Sequence, residues 1–266
     1  MKKVLSLALL AAVGVFIVFM TGCDGELPGE VRNLAAEAAD EGASVKLTWT
    51  EPTDATGDET YSVYFDETLV EEEISVTEYK HFEPGKAGEY EVTVVSGNEE
   101  SEGVKIDTEP VTPTTHQVYE LNGELESGLG WNVSTGSAAT YSMANDNSKT
   151  NIHCYFTDLE VGFAGDYNLA GAYVVETDPG NTWMPNTSGW DQTTVTDPLD
   201  ESFDNVTIAP GANNYYNYSP ATIGETYAIQ TEDGHYGLVE VSGIDKTYGT
   251  VDVKVTFQPI QELRLF

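Results

Sequence analysis

The residue pattern that most limits this fold is a period of two. Val45, Leu47 and Trp49 alternate with Lys46 and Thr48; Tyr61, Val63 and Phe65 form the next set; Tyr90, Val92 and Val94 stand against Glu89, Glu91 and Thr93. Successive side chains of a strand point to opposite faces, so each run has one dry and one wet side. From Leu27 to about Asp107 no helical period interrupts them, and turn residues such as Glu51-Pro52-Thr53-Asp54 close each run. Strands of this kind bury their dry faces by stacking as two antiparallel sheets.

The later part of the chain also reads as β. Glu225 to Gln230 and Tyr236 to Val241 flank Glu232-Asp233-Gly234-His235, and Asp-Gly between β-rich runs is a strong hairpin signal. Val251 to Phe257 alternates cleanly, which fixes its register. In Asn151-Ile152-His153-Cys154-Tyr155-Phe156, alternation places Ile152, Cys154 and Phe156 on one face, so Cys154 is expected as a buried, inert thiol and His153 on the opposite, polar face. Between the two parts, residues 109–115 are rich in Thr and Pro and read as an extended, semi-rigid linker. Composition shifts there: 24 of the 45 acidic residues precede Pro110, while 11 of the 15 tyrosines and three of the four tryptophans follow it.

Eleven basic against 45 acidic residues give a formal net charge of −34. Such a surface repels nucleic acid, which is excluded as a partner. The chain is 40% hydrophobic and 11% aromatic, enough to bury a core despite the charge. Self-repulsion is relieved by screening, so the melting temperature is expected to rise with ionic strength. A value that stays level from low to high salt contradicts this.

Lys2 and Lys3, the apolar run Val4 to Met20, and Met20-Thr21-Gly22-Cys23 resemble the signal and lipobox of bacterial lipoproteins. That resemblance implies cleavage after residue 22, a diacylglycerol on the Cys23 thiol and an acyl chain on its amine, and several chains hold a membrane stably. The competing reading is an uncleaved membrane helix, for which the run stands at the lower limit of length. The expected location is the bacterial cell envelope, lipid-anchored, with the membrane as one partner.

Val31-Arg32-Asn33-Leu34, Leu47-Thr48-Trp49-Thr50-Glu51-Pro52, Tyr61-Ser62-Val63-Tyr64, and Phe82-Glu83-Pro84-Gly85 leading to Tyr90 resemble the fibronectin type III family in order and spacing. The resemblance implies an immunoglobulin-like sandwich over residues 23–108, a tyrosine corner at Tyr90, and a spacer or interaction role without catalysis. Residues 116–266 are then an all-β ligand-binding domain, a sandwich or jelly roll, and residues 1–22 the signal.

For binding, Trp183 and Trp190 in the long stretch Thr177 to Pro198, with Tyr215, Tyr216 and Tyr218 in Asn213-Asn214-Tyr215-Tyr216-Asn217-Tyr218, suit stacking against sugar rings, or a protein interface. Folding back onto the core is the competing fate of each. Gly130-Trp131-Asn132-Val133-Ser134-Thr135-Gly136 and the Tyr227 to Val241 hairpin resemble parts of the HmuY-type haemophore family, which implies haem or another small hydrophobic ligand. Ligands would come from His153, His235 or Met184. A calcium ion at Asn145-Asp146-Asn147 or Asp178-Pro179-Gly180-Asn181 is a weaker expectation than a solvated turn. No catalytic motif is present, so the chain is expected not to be an enzyme. An extracellular glycan or protein is the first expected ligand, a haemophore-like ligand the second, and service as an accessory module of a surface hydrolase system the third.

Overall fold

The computed structural model describes residues 27–120, 126–143, 150–158, 166–172 and 191–266. Cys23, Met184, Trp183, Trp190 and both calcium candidates lie outside the described residues.

The first module is a sandwich. One sheet joins β1 (Arg32–Ala39), β2 (Ser44–Thr50) and, further along the chain, β5 (Glu78–His81), in that order. The facing sheet holds β3 (Thr60–Phe65), β4 (Thr68–Ile74), β6 (Glu89–Ser96), β7 (Glu99–Glu100) and β8 (Val104–Asp107), in the order β4-β3-β6, with β7 and β8 both paired to β6. This is the arrangement implied by the fibronectin type III resemblance. Its dry faces meet as expected: Val45, Leu47, Val63, Tyr90, Val92 and Val94 are fully buried. The exposed edge strand β4 carries Glu71, Glu72 and Glu73 into solvent, and its register with β3 shifts twice. Charge and bulging both discourage pairing with another sheet.

Tyr90 differs from a tyrosine corner. Its hydroxyl lies 2.9 Å from His81 Nδ1 rather than on backbone, and Phe82 is exposed. Burial lowers the His81 pKa, which keeps the imidazole neutral and able to accept from the phenol.

The second module is also a sandwich of antiparallel sheets. One sheet runs β15 (Tyr215–Tyr216), β14 (Thr193–Thr196), β17 (Thr226–Thr231), β18 (Tyr236–Asp245), β19 (Thr250–Phe257), β9 (Thr114–Tyr119). The other runs β11 (Ser137–Tyr141), β10 (Gly128–Asn132), β12 (Cys154–Asp158), β13 (Tyr167–Gly171), β16 (Tyr218–Pro220). Both contribute to one core that includes Trp131, Phe156, Leu169, Tyr227, Ile229, Val253 and Phe257. Cys154 is fully buried within it, and burial pushes its thiol pKa up. The hairpin forms with Gln230 opposite Tyr236 and Gly234 at φ +84, the left-handed region its turn requires.

The outer face of this sheet is covered too. The chain between β14 and β15 crosses it, and Phe203, Val206 and Ala209 pack onto Ala228, Tyr236 and Leu238. Lys254 holds that crossing from the sheet side, 2.5 Å from Asp204 and over the Phe203 ring. This explains why β17 and the first half of β18 are dry on both faces, where alternation alone predicts one wet side.

The boundaries drawn on the sequence differ from the structure at two places. Thr114 and Thr115 belong to β9, and Val111 is bonded to Phe257 and to Thr256, so residues 111–115 are fixed to the second module rather than spacing the two apart. More consequentially, the chain after β19 returns to the first module. Leu263 and Leu265 are fully buried in the first module's core beside Val45, Leu47 and Tyr90, while Phe266 packs with Phe203 and Ala209 of the second. Arg264 bridges both, donating to the carbonyls of Glu41 and Ala209, each at 2.7 Å. The fully buried Gln258 amide donates to Thr108 and Leu265 carbonyls and accepts from the Ile260 N–H, leaving none of its polar capacity wasted. Gly42, at φ +83, receives this tail closely: a Cβ there would stand 2.1 Å from the Glu262 carbonyl oxygen.

Candidate functional site

The five aromatic residues selected for binding separate into three groups. Tyr215 turns inward: it packs against Tyr236 with ring centroids 6.1 Å apart, and its hydroxyl donates to the Pro210 carbonyl. Burial pushes its pKa up. It is a packing residue, as folding back onto the core would make it. Tyr216 and Tyr218 turn outward and are 50% and 48% exposed, large apolar faces left in water. Trp183 and Trp190 are outside the described residues.

What places Tyr216 and Tyr218 is a change of sheet. Tyr216 pairs with Val195 at the edge of one sheet, and Tyr218 pairs with Ala170 at the edge of the other. The segment from Tyr215 to Pro220, two short strands with a bend at Asn217, therefore ties the two edges together. Between its strands, the Asn217 carbonyl accepts from the Gly171 N–H at 2.9 Å. The chain bends at Asn217, and the two exposed phenol rings form a two-step ledge in which each step stands on backbone fixed by a different sheet edge.

A groove opens beside the ledge, lined by Tyr216, Asn214, Leu199, Asp197, Asp200 and Glu201 among others. Asp197 is oriented from below by the buried Ser219, whose hydroxyl donates to Oδ1 at 3.2 Å. Asn214 is held by its own amide on the Gly211 carbonyl. The wall therefore combines an aromatic face with hydroxyl acceptors, the mixture that orients a polar ligand in a cleft. Sequence reasoning missed the acidic wall. Asp-Pro at 197–198 signals a turn and nothing more, and only the crossing of the outer sheet face brings Asp200 and Glu201 back beside Tyr216.

The two histidines offered for haem are both buried, a correction to the placing of His153 on a polar face. The His153 ring stacks on Trp131, centroids 4.3 Å apart, and its Nδ1 accepts the Trp131 backbone N–H at 3.1 Å. Its own backbone is bonded to Leu129, Ala172 and Thr193. The cause is that β12, which the chain enters directly after His153, lies between β10 and β13 inside its sheet. His235 is buried because the tail folds over the hairpin: Glu262 N–H reaches Gly234 O, and the Gln261 amide reaches Asp233 O, both at 2.7 Å. Its Nδ1 lies 3.1 Å from the Gln258 carbonyl. Neither ring borders an apolar slot among the described residues. Among the described residues no group of three or more His, Cys, Asp or Glu side chains is placed to hold a metal ion.

Burial lowers the His153 pKa from 6.5 to about 4, with nearby His235 acting the same way and Asp233 opposing. The unfolded chain therefore takes up a proton in a range where the folded chain refuses it. Stability from this group is complete above pH ~6.5 and falls as pH drops toward ~4, by roughly 3 kcal/mol over that window. Urea unfolding across this range should show the slope in the wild type and a shallower one in His153→Gln; equal slopes contradict the assignment.

No protein-family model matches the chain, and no curated protein does. Among solved structures it is similar to a DUF4466 family protein from Parabacteroides merdae ATCC 43184, at 13% identity, covering 87% of this chain and 94% of that one with a TM-score of 0.37. It is also similar to domains d3–d4 of the rat CD45 extracellular region, at 15% identity, covering 40% of this chain and 68% of that one with a TM-score of 0.26. The fold itself is all-β, two sandwiches joined by a shared C-terminal tail.

Proposed function

We propose that this is a lipid-anchored, non-catalytic protein of the bacterial cell envelope, tethered through Cys23, whose second module binds an extracellular glycan on the Tyr216–Tyr218 ledge. The first sandwich serves as the spacer. The observation that supports this reading is the outward exposure of two tyrosines on pinned backbone, of which Tyr216 lines a groove of amide and carboxylate acceptors. Folding ordinarily hides aromatic surface, and a rigid aromatic face beside oriented polar groups matches a sugar, whose ring carbons stack while its hydroxyls donate.

The test is a glycan array probed with the acyl-free chain and with Tyr216→Ala/Tyr218→Ala. The wild type should bind a defined set of glycans, and the double variant should bind them at least tenfold more weakly, about 1.4 kcal/mol. Tyr248→Ala, which removes another exposed ring away from the groove, should leave binding unchanged. Wild-type binding that survives loss of both ledge tyrosines places the site elsewhere.

A further inference from the structure

We infer that the groove beside the ledge selects uncharged or amine-bearing sugars and rejects uronic, sialic and sulfated ones. This rests on the glycan reading above and adds the chemical class of its ligand.

The site is set by the two exposed rings; its selectivity is set by the groove wall that Tyr216 shares. That wall presents Asp197, Asp200 and Glu201, and among the described residues no lysine or arginine lines it. The neighbouring cations are committed elsewhere. Lys254 sits 2.5 Å from Asp204 and over the Phe203 ring, and Arg264 is engaged by the Glu41 and Ala209 carbonyls. A ligand carboxylate or sulfate entering the groove would face several like charges with nothing to offset them, within a chain of net charge −34. Sugar hydroxyls meet the opposite situation. They are donors, and ionised carboxylates are the strongest acceptors a protein offers them. Asp197 is held in place for that role by Ser219. An amino sugar gains charge pairing as well.

The experiment uses one set of oligosaccharide backbones printed in neutral, amine-bearing and uronate- or sialate-capped forms. The array is probed with the acyl-free chain at low and high salt and with Asp197→Asn/Asp200→Asn/Glu201→Gln. Wild-type signal is expected on the neutral and amine-bearing forms. Capped forms should bind at least thirtyfold more weakly at low salt and recover part of that loss at high salt, because screening weakens repulsion between exposed charges. The triple variant should lose most of the discrimination. The salt arm reads the same effect without any substitution. Equal binding of capped and uncapped forms overturns the selectivity while leaving the glycan reading intact. Absence of any signal that depends on Tyr216 and Tyr218 overturns both.

Discussion

Replacing Leu265 with alanine is expected to destabilise the first sandwich by about 2–5 kcal/mol, although that residue lies far downstream of every strand in it. Leu263 and Leu265 are fully buried among Val45, Leu47, Tyr90 and Val94, and close packing leaves no means of filling the vacated space cheaply. The tail's backbone is paired on both sides, Arg264 N–H to Gly42 O at 3.0 Å and Ala87 N–H to Phe266 O at 3.3 Å. Removing residues 259–266 takes away both leucines and these pairings, a loss comparable with the whole stability of an ordinary domain. Chemical unfolding followed by the nuclear magnetic resonance signals of the paired core residues Val63 and Val92 reads the first module directly. A truncated chain in which that module unfolds at the wild-type midpoint would contradict the shared core.

The second large effect lies at Trp131. Its indole is 2% exposed, parallel to the Phe257 ring at 5.5 Å, and stacked on His153. The flat seat beneath it is Gly237, where a Cβ would stand 2.5 Å from the indole. Trp131→Ala should cost about 3–5 kcal/mol and uncover His153, reducing the acid-side loss of stability derived above. Trp131→Phe is the informative companion. The indole Nε1 makes no hydrogen bond, so phenylalanine sacrifices no polar contact and should cost far less, below about 1.5 kcal/mol if the core closes around it. Equal costs for the two changes would mean that the nitrogen, not the ring, holds the site.

The strands were legible where burial is one-sided. Val45-Leu47-Trp49, Tyr90-Val92-Val94 and the Asp233-Gly234 hairpin each show their period because one face meets water. The same logic misplaced His153: alternation put it on a wet face, but β12 has no wet face, since Tyr155 and Thr157 are as buried as Cys154 and Phe156. The tail Leu263-Arg264-Leu265-Phe266 carries a period-two signal of its own, yet no sequence rule assigns it to a module whose strands end at Asp107. Long-range pairing of this kind is a tertiary decision. For the candidate site, tyrosines beside asparagines singled out the segment, but the alternation that separates inward Tyr215 from outward Tyr216 depends on pairing with β14. The acidic wall came from a different stretch altogether and left no mark at the tyrosines.

The ledge can be watched residue by residue. With ring-labelled tyrosine in the acyl-free chain, nuclear magnetic resonance during titration with an array-selected glycan should move the Tyr216 and Tyr218 ring signals together, saturably, while the buried Tyr155 and Tyr227 stay still. Saturable shifts at other tyrosines with Tyr216 and Tyr218 unmoved would contradict the account.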